Sequence, residues 1–142
     1  MSFKKQFQYS DTYNHTHPRC NAPMIDINVY TPPYNEIALK KSGRVRFCLD
    51  TGADYYAAIP EYILFNTGIN TGQEIRVEDY KGVTDIEPVY TIGLAIKDLK
   101  FNQIVEAIPT KKDYGFLPRS ILNQWNIALD GPKEEFSITI DL

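Results

Sequence analysis

The side chain best suited to do chemistry in this sequence is the carboxylate of Asp50, within the segment FCLDTGA at residues 47–53. Asp50 directly follows an apolar run and directly precedes Thr51 and Gly52. Because glycine has no Cβ, the backbone at Gly52 can turn sharply and come close to a ligand or another chain. A carboxylate at such a place is costly to bury unless it is hydrogen-bonded or shares a proton. The segment therefore has two interpretations, a reactive carboxylate or an ordinary turn, in which Asp and Gly are common.

The elements that would position Asp50 are short strands, because apolar and polar residues alternate with a period of two through most of the chain. The alternating apolar residues are Ile25, Ile27 and Val29; Val45, Phe47 and Leu49; Ile75 and Val77; Tyr90, Ile92, Leu94 and Ile96; and Phe136, Ile138 and Ile140. Clusters of turn-forming residues separate these runs. Strands of this length and spacing predict an antiparallel sandwich or barrel.

One segment near the C-terminus departs from this alternation. After Pro118, the apolar residues Ile121, Leu122 and Trp125 lie at helical spacing. Proline is tolerated at the start of a helix. The sequence therefore predicts a single short helix from Arg119 to Trp125, packed against the β structure.

Chain length and charge restrict the class of protein. The 142 residues fit one domain, and a domain of this size buries roughly two-thirds of its unfolded surface without a metal or a disulfide. We expect residues 1–21 to form an N-terminal arm outside the core and residues 22–142 to form the domain. The formal net charge of -3 and the scattered Lys and Arg residues argue against nucleic acid as a partner.

The apolar pattern and the cysteines bear on the cellular compartment. The chain contains no apolar run of about 18 residues, and no apolar stretch follows Met1 that could act as a secretory signal. Cys20 and Cys48 form no Cys-x-x-Cys motif, which suits a reducing compartment. We therefore expect a soluble, cytoplasmic protein with no membrane partner.

Three motifs follow one another along the chain. The first is the apolar strand that runs into DTGA and is followed by Ile59 and Pro60. The second is FLPRS at residues 116–120, ahead of the short helix. The third is IALDGP at residues 127–132, ahead of a last strand. In order and spacing, these motifs resemble the retropepsin-like (retroviral-type) aspartic proteases over residues 22–142, and the third is similar to single-domain members found in bacteria.

This resemblance implies an all-β fold, a closed antiparallel barrel with one short C-terminal helix. It also implies that the protein is an aspartic endopeptidase. Asp50 would be catalytic, with Thr51 hydrogen-bonded across a dimer and Gly52 on the floor of the site. Peptide hydrolysis of this kind needs two carboxyl groups, one to take a proton from water and one to donate a proton to the carbonyl oxygen; aspartic proteases share one proton between two aspartates. Because the chain has a single Asp-Thr-Gly, we expect a homodimer, without a cofactor or metal.

The resemblance also implies where an extended peptide substrate would bind. Gly52 and Ala53 would line the floor of the site, and the Gly52 carbonyl and the Asp54 backbone would face the substrate main chain. Arg119 would have the structural role of pairing with Asp54. A flap, a hairpin that closes over the substrate, would lie at about residues 75–92 with Gly82 near its tip.

Some residues depart from the family pattern. Pro118 stands where the family has glycine, Ser120 stands where it has aspartate or asparagine, and Gly82 is the only glycine of the expected flap. Proline fixes φ and lacks an N–H, which affects the backbone path near the site. These departures keep a second function open: a retropepsin-fold module that dimerises and binds an extended peptide without cleaving it.

Two further groups have alternative interpretations. His15, His17 and Cys20 could ligate a metal, but a fourth ligand is not evident, and an incidental polar arm is the simpler interpretation. Tyr55 and Tyr56 could form pocket walls beside the site or pack in the core.

Overall fold

The computed structural model describes residues 6–13, 22–32, 43–66, 71–78 and 81–141. The strands are β1 (Gln6–Thr12), β2 (Met24–Tyr30), β3 (Gly43–Leu49), β4 (Ala57–Pro60), β5 (Thr71–Glu78), β6 (Thr84–Ile96), β7 (Phe101–Thr110), β8 (Gly115–Leu117), β9 (Asn126–Asp130) and β10 (Glu135–Asp141). The helices are α1 (Glu61–Asn66), a 3-10 helix (Lys97–Leu99) and α2 (Arg119–Leu122).

Six of the described strands close into a barrel. Their order is β2-β3-β8-β4-β7-β6, and β6 closes the ring by pairing with β2. The hairpin partner of β6, strand β5, extends the sheet outside this ring. The predicted all-β closed barrel is confirmed, but it is not antiparallel throughout, because the pairs β3–β8 and β4–β7 are parallel. Alternation of apolar residues reports which face of a strand is buried and carries no information about strand direction.

The helical content also differs from the prediction of one short helix. Helix α2 ends at Leu122, before Trp125. Beyond it, the N–H of Gln124 donates to the carbonyl of Ile121 and the N–H of Trp125 to that of Leu122. Both bonds span three residues, so the chain tightens into turns instead of continuing as an α-helix. A further helix, α1, follows β4 directly and was not expected from the alternation of the sequence.

The core lies inside the barrel and extends to β10, and it includes most of the alternating apolar residues. The side chains of Ile75 and Val77 lie outside the described residues. Ile25, Ile27 and Val29 on β2 are each at most 1% exposed. Trp125 packs edge to face with Phe101 in this core, with ring centroids 5.2 Å apart. The period-two pattern therefore identified the buried side chains of β2, β3, β6 and β10 correctly.

A second sheet of three strands, in the order β1-β10-β9, lies against the barrel. Strand β1 pairs antiparallel with β10 along its whole length. Phe7, Tyr9 and Tyr13 pack against the hydrophobic core. The expectation that the N-terminal arm lies outside the core is therefore wrong for residues 6–13, because their partner strand is at the opposite end of the chain and gives no local signal. The domain boundary at residue 22 stays a prediction.

Tyr9 on β1 should make stability sensitive to alkaline pH. Partial burial, followed by the negative charge of Asp11, raises the pKa of Tyr9 from 10.0 to about 12. The pKa of Tyr9 is higher in the folded protein than in the unfolded chain, so the folded state binds this proton more tightly. The contribution of Tyr9 to the free energy of unfolding is therefore complete below pH 10.0 and is lost as pH rises towards 12. We expect Tyr9→Phe to flatten the fall in unfolding free energy over this range, measured by urea unfolding at a series of pH values. The same fall in both proteins would contradict this assignment.

Candidate active site

Asp50 lies where β3 and β8 end side by side. The two strands run parallel, with Phe47 beside Gly115 and Leu49 beside Leu117. The N–H of Asp50 donates to the carbonyl of Leu117 over 3.0 Å, which extends the pairing by one residue. A Cβ at Gly115 would lie 2.5 Å from the Phe47 ring, so the close approach of β8 requires glycine there. The backbone of Asp50 is thus held at the end of the barrel.

A tight turn after Asp50 fixes its carboxylate. The N–H of Gly52 donates to Asp50 Oδ1 over 3.0 Å, and the N–H of Ala53 donates to the Asp50 carbonyl over 3.3 Å. Asp50 is half-buried, whereas Thr51 and Gly52 are exposed. A Cβ at Gly52 would lie only 3.3 Å from Asp50 Oδ1 and would crowd the carboxylate. Within the described part of the chain, Asp50 Oδ2 accepts no hydrogen bond.

The start of α2 holds the segment that follows the turn. The N–H of Arg119 donates to the Ala53 carbonyl over 2.9 Å, and the N–H of Ser120 donates to the Asp54 carbonyl over 3.1 Å. The Ser120 hydroxyl donates to the Tyr55 carbonyl over 2.9 Å. These bonds fix residues 53–55 alongside α2. Ser120, which departs from the family pattern, therefore supplies two of the three contacts, a role that the residue type alone did not reveal.

Pro118 is accommodated at the beginning of α2. It has φ -82° and ψ 170° as the residue that precedes the helix, close to the φ that its ring imposes. Its carbonyl accepts the N–H groups of Ile121 and Leu122. A residue at this position needs no N–H for the helix, so the proline leaves the local geometry intact.

The side chains of Arg119 and Asp54 form an ion pair through Arg119 Nη2 and Asp54 Oδ1. These side chains are 46% and 88% exposed, respectively. Pairs of charges at the surface contribute less than about 1 kcal/mol to stability because water and salt screen them. The pair therefore orients two side chains beside the turn and adds little to the stability of the fold.

Gly82 lies apart from this hydrogen-bonded group, in the connection of the β5–β6 hairpin. It has φ +78°, a conformation that residues with a side chain rarely adopt. Val83 and Ile86, on the same hairpin, are 54% and 65% exposed. The hairpin falls within the range expected for a flap, and its closure over a substrate stays a prediction.

Tyr55 and Tyr56 occupy different environments beside the turn. Their rings pack edge to face, with centroids 4.9 Å apart. Tyr55 is 54% exposed, so core packing does not describe it, whereas Tyr56 is half-buried. An exposed ring next to Asp54 fits the alternative interpretation of a pocket wall better.

The alternative metal site at His15, His17 and Cys20 lies outside the described residues. Among residues 6–13, 22–32, 43–66, 71–78 and 81–141, no three His, Cys, Asp or Glu side chains are grouped so that they could hold a metal ion. In the same ranges, no helix has the length and apolar character needed to cross a membrane.

A closed barrel that presents an Asp-Thr-Gly turn where two parallel strands end side by side, next to a short helix, is a retropepsin-like fold. Solved structures of retroviral proteases share it at low sequence identity, which supports a common fold. A foamy viral protease-reverse transcriptase bound to an RNA/DNA hybrid matches with a TM-score of 0.54 and 18% identity, over 72% of this chain and 12% of that chain. This chain thus spans about an eighth of that protein.

Two separate viral proteases match over most of their length. The simian foamy virus protease has a TM-score of 0.50 and 16% identity, over 71% of this chain and 92% of that chain. The EIAV protease in an inhibitor complex has a TM-score of 0.52 and 15% identity, over 80% and 92%. Neither the family models nor the curated protein sequences gave a match. The similarity to bacterial members stays a prediction.

Proposed function

We propose that the protein is an aspartic endopeptidase whose active site combines two Asp50 carboxylates, one from each subunit of a homodimer. The observation that carries this proposal is the placement of Asp50. Its backbone is held by Leu117, one carboxylate oxygen accepts the N–H of Gly52, and the other oxygen is free of hydrogen bonds within the described residues. Such a carboxylate is positioned before any substrate arrives.

In the dimer, two adjacent carboxyl groups would share one proton, because like charges at short distance do not both ionise. The ionised carboxylate takes a proton from water while the water oxygen attacks the peptide carbonyl carbon. The protonated carboxyl donates its proton to the carbonyl oxygen. Return of a proton to the amide nitrogen then allows the C–N bond to break and releases a carboxylic acid and an amine. In this proposal, Thr51 would contact its equivalent in the other subunit beneath the two aspartates.

The substrate in this proposal is an extended peptide. It would lie between the main chain of residues 52–54 and the β5–β6 hairpin, which would act as the flap with Gly82 near its tip. The exposed apolar side chains of Val83 and Ile86 support this, because a flap needs apolar surface to cover a peptide. Main-chain hydrogen bonds to an extended peptide supply affinity that depends little on its side chains.

The alternative of a binding module without activity rests on Pro118, Ser120 and the single glycine of the hairpin. Pro118 has a backbone conformation natural to proline. Ser120 forms two hydrogen bonds to the segment after the turn. These contacts support an enzyme over a module that has lost the geometry of its site.

The proposal is tested by incubating the purified protein with a diverse peptide library at mildly acidic and at neutral pH. We expect cleavage by the wild type and none by Asp50→Asn prepared in the same way, because an amide neither accepts the proton from water nor shares one. Binding of peptides by the wild type without cleavage would instead support the binding module.

Ser120→Ala should lower kcat/KM for a peptide identified in that screen by roughly threefold to tenfold, the effect of one lost hydrogen bond. The physical reason is that the Tyr55 carbonyl loses its hydroxyl donor, which loosens residues 53–55. Ser120→Thr keeps the hydroxyl and should retain most of the activity. Ser137→Ala, on the outer face of the three-stranded sheet, is the matched control. Equal activity of Ser120→Ala and the wild type would contradict this role.

A further inference from the structure

A small cavity lies where the 3-10 helix, the start of β7, the chain after α2 and strand β10 meet. Its volume is about 190 Å³. The residues that line it are Leu99, Lys100, Phe101, Asn102, Gln103, Gln124, Trp125 and Ile140. Pockets that hold drug-sized molecules measure roughly 300–1,000 Å³. This cavity therefore has room for a single group about as large as an amino-acid side chain.

The Trp125 side chain, on the wall of the cavity, has a hydrogen-bond donor that no described residue uses. Trp125 is only 7% exposed, and its Nε1 is buried without a partner among the residues that the structure describes. An indole N–H can only donate a hydrogen bond. A buried donor without an acceptor costs free energy, and such groups are rare in folded proteins. An acceptor oxygen brought into the cavity would remove this cost.

The rest of the wall is apolar on the inside and carries one positive charge. Leu99 and Ile140 are buried, and the Phe101 ring packs edge to face with Trp125. Among the described residues that line the cavity, the exposed Lys100 is the only charged one. A hydrogen bond to a charged acceptor is stronger than one to a neutral acceptor. The wall therefore suits an apolar group that ends in a negatively charged oxygen.

From these observations we propose that the cavity binds a carboxylate attached to one apolar group. Both the C-terminal residue of a peptide and a small arylalkyl acid have this chemistry. The carboxylate would accept the indole N–H of Trp125 and pair with the ammonium group of Lys100. The apolar group would pack against Leu99, Phe101 and Ile140.

Gln124 connects this cavity to the candidate active site. Its Nε2 donates to Gln103 Oε1 and to the Ser120 carbonyl, over 2.9 Å in each case, so both of its N–H groups are in use. Ser120 in turn bonds to the main chain of residues 54–55. A carboxylate in the cavity would compete with the Ser120 carbonyl for Gln124. This bond helps to hold α2, so its loss should loosen the segment beside Asp50.

A bound carboxylate should therefore lower kcat for peptide cleavage without raising KM, because it does not occupy the place of the substrate. Peptide hydrolysis itself releases carboxylates, so a cleavage product would be one such ligand. This regulatory role rests on the proposed function, whereas the binding site does not. Binding and cleavage are accordingly measured separately.

Binding is measured with 3-phenylpropionate as the probe and with its neutral amide, 3-phenylpropionamide, as the matched control compound. Trp125 is the single tryptophan of the chain, so one indole N–H resonance in the NMR spectrum reports on the donor directly. We expect the acid to shift this resonance with a dissociation constant on the order of 1 mM, the affinity usual for so small a ligand. The amide should bind roughly threefold more weakly, because it lacks the charge.

The contact with Lys100 is tested with Lys100→Gln, which should weaken binding of the acid roughly threefold. Lys97→Gln is the matched control, because it makes the same charge change on the neighbouring 3-10 helix at a residue that does not line the cavity. Circular dichroism verifies that both variants fold. Equal weakening by the two substitutions would overturn the contact with Lys100. Equal affinity for the acid and the amide would overturn the carboxylate as the ligand.

An indole resonance that does not move at roughly ten times the expected dissociation constant would overturn the site. N-acetyl-alanyl-phenylalanine distinguishes the two sources of the carboxylate. Binding at least as tight as that of 3-phenylpropionate supports a peptide C-terminus, and no binding would overturn the role of a cleavage product. In an active protein, an unchanged kcat with the probe bound would overturn the regulation and leave the site and the proposed function intact. Binding by a protein that cleaves no peptide would support the site and count against the proposed function alone.

Discussion

Mixing Asp50→Asn chains with wild-type chains should lower peptide-cleaving activity as the square of the wild-type fraction. If each site needs Asp50 from both subunits, only dimers of two wild-type chains are active. Under random exchange, an equal mixture would contain about a quarter of such dimers. The measurement is a titration of variant into wild type at constant total protein, after the chains are refolded together.

The control for this titration is Asp98→Asn, an equivalent change at an exposed aspartate of the 3-10 helix. It should fold and dimerise normally, and its mixtures with wild type should keep full activity. A linear fall with Asp50→Asn would mean that each chain has a complete site. Activity in pure Asp50→Asn would mean that another residue performs the chemistry.

Gly93→Ala should be the most damaging single substitution to the fold among those considered, at a cost of about 3 kcal/mol. Gly93 lies opposite Tyr30 where β6 pairs with β2 and closes the barrel. A Cβ there would lie 2.0 Å from Tyr30 Cζ. The Tyr30 ring is 2% exposed, and its hydroxyl donates to Asn102 Oδ1, so it has little space in which to move. The new methyl group would force the ring away and break this bond.

Gly131→Ala provides the matched control, because a Cβ at Gly131 would meet no atom within 4 Å. We expect this variant to stay within about 0.5 kcal/mol of the wild type. Both variants are compared by urea unfolding at neutral pH. A loss in Gly93→Ala no larger than that in Gly131→Ala would contradict the close packing of Tyr30 on β6.

The buried faces of the barrel strands β2, β3 and β6 can be predicted from the sequence, but the directions of the strands cannot. Burial of one face imposes a period of two on each strand separately, so Ile25, Ile27 and Val29 are recognisable without their partners. Pairing depends on which strands meet, and β3 meets β8 after more than sixty intervening residues form the rest of the barrel. The same reason explains why the pairing of β1 with β10 was not predicted.

In the candidate site, the motif locates Asp50 and the glycine beside it, because a turn after a buried strand is a local property of the chain. The partners that hold this turn come from elsewhere. The carbonyl of Leu117 and the hydroxyl of Ser120 reach it only when β8 and α2 are packed next to β3. Residue types at positions 118 and 120 suggested a disturbed site, whereas the folded backbone accommodates both.

Local pattern is thus sufficient for the β class of the fold, the inward-facing residues of β2, β3 and β6, and the position of Asp50, since each depends on near neighbours in the chain. Tertiary structure decides the parallel strand pairs and the place of β1 in the second sheet. It also decides that Gly93 lies beneath Tyr30, a contact between residues more than sixty positions apart. These features depend on which distant segments meet. The segments meet when the strands close around a shared core, because the backbone groups of every strand need hydrogen-bond partners there.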